Sequence, residues 1–170
     1  MAEIQGVFKR YEKKYLLNPQ QVKLVTEKIL EHMKLDRYGL STICSLYFDT
    51  EQFDLIRRSI EKPVYKEKLR LRCYGKSASG SDTVFVELKK KFDHVVYKRR
   101  IALPERVATD WLSDRIVTPI DTQISREIDY FRSHYGGLHP SMFLSYEREA
   151  FYANDSSDFR VTFDDTILCR

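Results

Sequence analysis

The sequence predicts an α+β protein built on an antiparallel β-sheet, with one cationic sheet face and helices packed outside. Several segments alternate apolar and charged side chains with a period of two, which is the period of a β-strand. Four other segments show helical spacing or helix-capping residues. Strands with one polar face form either an open sheet with a wet face or a closed barrel around a water-filled bore. Only the barrel lets cations from distant strands converge on one ligand.

The strand predicted from Tyr65 to Tyr74 is the most highly charged. Its period places four cations on one face, namely Lys66, Lys68, Arg70 and Arg72, and the other face holds Tyr65, Glu67, Leu69, Leu71 and Cys73. The segment from Lys62 to Arg100 contains twelve Lys and Arg residues against four Asp and Glu residues, which indicates a localised anion site. The alternative is a solvated edge strand, in which lysines discourage pairing with another chain.

Two strands and two helices are predicted before this basic strand. The strands cover Val7–Leu17 and Ile43–Asp49. A capped helix start is indicated by Asn18, Pro19 and Gln21. Its core-facing stripe is expected to comprise Val22, Val25, Ile29 and Met33. A second helix, capped by Thr50 and ending at Ile60, is expected to have an apolar side of Phe53, Ile56 and Ile60.

Four strands and two helices are predicted after the basic strand. A Gly/Ser-rich hairpin loop covers residues 75–82, and a turn covers residues 154–157. The strands are Thr83–Lys91, His94–Leu103, Ser141–Tyr152 and Phe159–Phe163. One helix covers Pro104–Ile116 and buries Val107, Trp111 and Leu112. The other covers Asp121–Tyr135, with Asp121 as its cap, Ile124, Ile128 and Phe131 inward, and Gly136-Gly137 at its end.

Length and composition exclude several classes of protein. A chain of 170 residues suits a single domain, here taken as residues 1–170. It has no apolar run long enough for a transmembrane helix, and residues 1–10 lack the apolar core of a signal peptide. The three cysteines, Cys44, Cys73 and Cys169, show no metal spacing and fit a reducing cytoplasm. Nucleic acid is not an expected partner, because the basic faces carry few aromatics for stacking.

Seven stretches, in order, resemble the VTC domain. This is the polyphosphate polymerase branch of the triphosphate tunnel metalloenzyme superfamily, which also includes CYTH domains. The stretches are RYEKKY (residues 10–15), SLYFD (45–49), KLRLRCYG (68–75), VFVELK (84–89), KRRIAL (98–103), YEREAF (146–151) and FRVTFD (159–164). They span nearly the whole chain, and together they are highly specific.

The resemblance implies an eight-stranded antiparallel tunnel that binds ATP and inorganic polyphosphate. It assigns phosphate binding and catalysis to Lys14, Arg70, Arg72, Lys89, Lys98, Arg148 and Arg160. Further cofactor-binding residues are Arg10, Lys68 and Arg100. Glu12 and Glu87 are expected to hold Mn²⁺ or Mg²⁺ or to orient the lysines. The terminal phosphate of a growing chain then attacks the γ-phosphate of ATP, and ADP leaves.

One departure from the family pattern leaves two other functions open. The family tunnel has a further strand, with an acidic metal ligand in a Glu-x-Lys context, after the position of Phe163. No such strand is recognised before Arg170, so we expect a truncated tunnel or a tunnel that closes differently. A triphosphatase is one alternative, although Arg10 replaces the first acid of a Glu-x-Glu-x-Lys strand. A non-catalytic polyphosphate-binding module is the other. The sequence does not give the oligomeric state.

Overall fold

The computed structural model describes residues 6–76, 78–155 and 157–170. The expectations for residues 1–5, for Ser77 in the hairpin loop and for Ser156 in the late turn lie outside this range. The strands are β1 (Val7–Tyr11), β2 (Met33–Leu35), β3 (Ser41–Asp49), β4 (Tyr65–Tyr74), β5 (Thr83–Phe92), β6 (Val95–Pro104), β7 (His139–Ala153) and β8 (Arg160–Cys169). The helices are α1 (Pro19–Ile29), α2 (Asp54–Ile60), α3 (Glu105–Leu112) and α4 (Gln123–Tyr135).

All eight strands belong to one curled antiparallel sheet that forms a half-barrel. The order is β1-β6-β5-β4-β3-β7-β2, and β8 pairs with β7 along its other side. Within the described residues, β1 and β8 are therefore the two ends of the curl. The α+β class and the barrel-like antiparallel architecture are confirmed. None of the helices in the described ranges has the length and hydrophobicity needed to cross a bilayer.

The hydrophobic core lies between one face of the central strands and three helices. Because side chains alternate along a strand, Leu69, Val86 and Leu88 all point to this face, and each is fully buried. Trp111 of α3 and Phe131 of α4 pack into the same cluster. The charged side chains that alternate with these residues therefore share the opposite face of the sheet.

The first strand is shorter than predicted. β1 ends at Tyr11, whereas the alternation predicts a strand as far as Leu17. The cause is the length of its partner, because Tyr11 pairs with Val95, the first residue of β6. Beyond Tyr11 the segment pairs with none of the strands that the structure describes, so Glu12 and Lys14 lie outside the sheet.

Two helices bury different residues from those predicted. The capping box of Asn18 and Gln21 is confirmed, but α1 has no buried residue, and Met33 is buried as part of β2 instead. In α2 the buried residue is Leu55. The predicted apolar side of α2 is exposed instead, and its residues are Phe53, Ile56 and Ile60.

Thr122, and not Asp121, caps α4. The Thr122 backbone is extended, so its Oγ1 accepts a hydrogen bond from the Ser125 amide at 3.1 Å. Ser125 Oγ in turn accepts a hydrogen bond from the Thr122 amide at 2.8 Å. Because this reciprocal arrangement satisfies two amide donors that the helix leaves unpaired, it fixes the helix start one residue later than predicted.

The C-terminal strand is longer than predicted. β8 continues past Phe163 to Cys169, through a bulge opposite the Ser145–Glu147 segment of β7. Thr166 has a φ of +49°, which marks the extra residue of this bulge. Residues 164–169, for which no strand is predicted, thus form part of the sheet. The short strand β2 is also absent from the predictions.

Asp49 at the end of β3 holds the start of α2, which gives a first testable prediction. Its carboxylate accepts hydrogen bonds from the amides of Leu55 at 2.9 Å and Ile56 at 3.0 Å. We expect Asp49→Ala to lower the free energy of unfolding by about 1–2 kcal/mol, the cost of losing a helix cap. Urea unfolding measures this, with the exposed Asp155→Ala as a control of the same chemistry. Equal stability of the two variants would contradict the capping role.

Candidate anion-binding face

We call the sheet surface opposite the helices the cationic face. Strand register places Lys68 of β4 opposite Lys89 of β5, and Lys89 opposite Lys98 of β6. The next row along the strands places Arg70 opposite Glu87, and Glu87 opposite Arg100. Like charges directly opposite each other destabilise a sheet, so a row of three lysines requires a source of negative charge.

Glu87 supplies negative charge from inside the protein. Its side chain is fully buried, and Oε2 accepts from Arg70 Nε at 2.7 Å and pairs with Arg70 Nη2 at 2.6 Å. Oε1 accepts from Lys98 Nζ at 3.3 Å, and Arg72 Nε lies 3.9 Å from Oε2. Burial alone would raise the pKa of Glu87, but Arg70, Arg72 and Lys98 outweigh it and lower the pKa to about 2. Glu87 is therefore ionised at neutral pH.

The two buried arginines are held in different ways. Arg70 is bound to Glu87 and also donates from Nη1 to the Tyr47 hydroxyl at 2.9 Å. Arg72 is held mainly by neutral oxygens, because its Nε donates to Ser45 Oγ at 3.3 Å and its Nη2 to the Tyr146 hydroxyl at 3.1 Å. Arg72 thus keeps more of its positive charge available to an external anion than Arg70 does.

The lysines of the row are partly desolvated. Burial, together with repulsion from neighbouring Arg100, outweighs the attraction of Glu87 and lowers the pKa of Lys98 to about 8. Burial also lowers the pKa of Lys68, with Lys66 and Lys89 adding to the effect. Lys89 Nζ pairs with Glu12 at 2.7 Å. Such crowding of cations is relieved when an anion binds among them.

The curl of the sheet brings β7 towards the segment that follows β1. Arg148 of β7 donates to both oxygens of Asp164, at 2.6 Å and 2.7 Å. Burial raises the pKa of Glu12, but Lys89 and then Lys14 and Arg148 outweigh it, so the pKa is lowered. Arg148 therefore lies close enough to Glu12 to lower its pKa, although Arg148 is on β7 and Glu12 follows β1, near the other end of the curled sheet.

The structure gathers most of the predicted site residues but not all. Arg70, Arg72, Lys89 and Lys98 meet around Glu87 and Glu12, with Lys68 and Arg100 in the adjoining strand positions. Lys14 is exposed beyond the end of β1, and Arg10 lies on β1 with its guanidinium over Phe8. Arg160 lies at the start of β8, where it stacks on the Tyr152 ring at 4.2 Å.

Several residues of the cationic face are not among the predicted site residues. They are the neutral partners Ser45, Tyr47 and Tyr146, the acid Asp164, and the aromatic Phe8. The alternation in β3 is a signal that places Ser45 and Tyr47 on one face, opposite Leu46. Their contacts with arginines on β4 depend on strand register, which one sequence does not give.

A divalent metal held by protein ligands alone does not fit these residues. Both oxygens of Glu87 already face cations, and no three Asp, Glu, His or Cys residues cluster as a metal site in the described ranges. Mg²⁺ is more often held by one or two carboxylates together with substrate phosphates. Glu12, with about two fifths of its side chain exposed (38%), fits that role, and Glu87 does not.

Residues 9–170 match the VTC domain family. This chain belongs to that family. The VTC domain described here is similar to the vacuolar transporter chaperone complex subunit 4 of Trypanosoma brucei brucei, with 29% identity over 128 residues. That alignment covers 59% of this chain and 16% of the relative, so the VTC domain corresponds to a small part of the relative's length.

A solved structure supports the fold of this VTC domain. A candidate adenylate cyclase from Bacillus halodurans is 15% identical, with a TM-score of 0.50, and the match covers 96% of this chain and 81% of that one. An identity this low supports the curled antiparallel architecture alone.

Proposed function

We propose that the cationic face binds a chain of phosphates and that this VTC domain transfers the γ-phosphate of ATP to a growing polyphosphate. The observation that carries the proposal is the grouping of Arg70, Arg72 and Lys98 around one buried carboxylate, beside the row of lysines. One ionised acid does not balance these cations. A dense linear polyanion supplies the missing negative charge along the strands.

The residues of the face have different roles in this reaction. Arg72 and the lysine row bind phosphate oxygens, because neutral oxygens hold most of Arg72 and the three lysines outnumber the two carboxylates that pair with them. Glu87 and Arg70 are positioning residues, since they pair with each other and hold the face together. Phosphoryl transfer depends on positioning and charge stabilisation and needs no protein nucleophile. The chain-terminal phosphate oxygen bonds to the γ-phosphorus, and the bond to the ADP oxygen breaks.

A divalent ion, Mn²⁺ or Mg²⁺, would enter with the triphosphate, and Glu12 is the side chain that would contact it. Such an ion neutralises charge on the phosphates. Arg148, at the β7 side of the curl, and Arg10, at the β1 side, would contact phosphates at the margins of the face. We propose a reducing compartment, the cytoplasm, because all three cysteines are free thiols.

A second candidate is a module that binds polyphosphate without turnover. It is favoured by the engagement of Glu87 with three cations and by the lack of an acidic cluster in the described ranges. A protein of this kind would retain tight, salt-sensitive binding of polyanions. It would release no ADP.

The test is incubation with ATP and Mn²⁺, with products separated on a polyphosphate-stained gel and ADP measured in parallel. Long polyphosphate with stoichiometric ADP would establish the polymerase. Free phosphate without polymer would indicate a triphosphatase. Binding of tripolyphosphate without any product would support the non-catalytic module. Arg126→Ala, an exposed substitution on α4, is the matched control for substitutions on the face.

The depressed pKa of Lys98 predicts how binding depends on pH. Below about pH 8 the ammonium is charged, and above this value it loses its proton in the free protein. We therefore expect the affinity for tripolyphosphate to fall above pH 8, by at most about tenfold per pH unit. In Lys98→Arg this fall should disappear, because arginine stays protonated. Calorimetry at pH 7, 8 and 9 measures this on both proteins, so that the effect of the ligand's own titration cancels in the comparison. Identical dependence of affinity on pH in the two proteins would contradict the assignment of Lys98 to the binding site.

A further inference from the structure

One aromatic ring at the edge of the cationic face contacts three cations. Phe8 of β1 lies opposite Lys98, and its ring centroid is 4.1 Å from Lys98 Nζ. The guanidinium carbons of Arg100 and Arg10 lie 4.9 Å and 5.3 Å from the same centroid. All three distances are within the range in which a cation is attracted to the negative face of a ring.

The chemistry of this contact differs from that of the other contacts on the face. Glu87 attracts cations with a full negative charge, which also reduces the positive charge available to a ligand. A phenyl ring attracts cations through its quadrupole and adds no net charge. Arg100 also lies 4.7 Å from the Phe85 ring, so two rings flank its guanidinium.

We propose that Phe8 is a positioning residue for phosphate binding, in that its ring holds Lys98, Arg100 and Arg10 in place without adding negative charge. This inference rests on the proposed function, because it concerns the cations that bind the phosphate chain. Lys98 lies in a row of like charges that repel its ammonium, and the Phe8 ring adds to the attraction of Glu87 in holding it on the face. Phe8 closes that row at its β1 end.

The test changes the electronic character of the ring and preserves its shape. Phe8 is replaced by mono-, di- and trifluorinated phenylalanine through nonsense suppression, and tripolyphosphate affinity is measured by calorimetry. Fluorine withdraws charge from the ring face, so we expect a stepwise loss that reaches about three- to tenfold for the trifluorinated ring. Phe8→Leu should lose about as much, and Phe8→Tyr should stay close to the unsubstituted protein. The same series at Phe92, which lies on the opposite sheet face, is the control and should show no change.

The outcomes separate this proposal from the proposed function. A graded loss at position 8, without a change of melting temperature, is the expected result. Equal affinity across the fluorinated series, with tight binding by the unsubstituted protein, would overturn the role of Phe8 and leave the proposed function intact. The same conclusion would follow if Phe8→Tyr lost as much as Phe8→Leu. Failure of the unsubstituted protein to bind tripolyphosphate would overturn both.

Discussion

Glu87→Gln is expected to lower the free energy of unfolding by about 3–5 kcal/mol, the usual cost of removing one partner from a buried ion pair. Glutamine has the shape of glutamate but no charge. The substitution therefore leaves Arg70 with no buried counter-ion and Lys98 near three arginines. The cost arises because these cations lose their compensation while they remain largely shielded from water.

Urea denaturation of the two proteins at pH 7 measures this effect. Glu12→Gln is the matched control, because Glu12 also pairs with one lysine but keeps about two fifths of its side chain exposed. For this control we expect a loss within about 1 kcal/mol, as for surface ion pairs. A loss of similar size in both variants would show that Glu87 is not the buried counter-ion of the face.

The same carboxylate makes the stability depend on pH in acid. The pKa of Glu87 is lowered in the fold from about 4.5 to about 2, so the unfolded chain takes up the proton first as the pH falls. The stabilisation is complete above about pH 4.5 and is lost as the pH falls towards 2. Its size is about 3 kcal/mol, from a pKa difference of roughly 2.5 units. This part of the acid destabilisation should be missing from Glu87→Gln.

Arg72→Ala is expected to weaken tripolyphosphate binding by about 1.5–3 kcal/mol, the contribution of a hydrogen bond to a charged group. The corresponding loss of affinity is roughly 10- to 150-fold. Arg72 is the arginine for which this effect is cleanest, because Ser45 and Tyr146 hold it with neutral oxygens. Arg70→Ala should lose affinity as well, but it also removes a partner of Glu87 and so lowers stability.

Calorimetric titration with tripolyphosphate, at two salt concentrations, distinguishes these effects. Arg126→Ala on α4 removes the same charge from an exposed position outside the face, and its affinity should match that of the unsubstituted protein. The salt dependence of binding should be weaker for Arg72→Ala, because one fewer cation engages the ligand. Unchanged affinity of Arg72→Ala would remove this residue from the site.

The alternation of side chains made the main features of the fold predictable. The predicted bounds of β4, β5 and β6 agree with the structure to within one residue, because each of these strands carries an apolar face and a charged face. The same alternation separated Leu69 and Leu88, which are in the core, from Arg70 and Glu87, which are on the cationic face. Arginines and lysines on one strand face are informative because nothing in packing requires them there.

The parts that were missed depend on contacts between distant segments. The end of β1 follows from where β6 begins. The side chains of α1 stay exposed because nothing in the part of the chain that the structure describes buries them. The sequence also did not show that Glu87 lies within reach of three cations, which favours the role of a counter-ion over that of a metal ligand. That distinction requires strand register and side-chain distances.

The most direct test of the central claim is a crystal structure of this VTC domain with tripolyphosphate bound. We predict density for three phosphates on the sheet face opposite the helices, with oxygens within hydrogen-bond distance of Arg72 and of Lys89 or Lys98. Density elsewhere at saturating ligand, for example at Lys90 and Arg99 beside α4, would contradict the claim that the cationic face is the phosphate site.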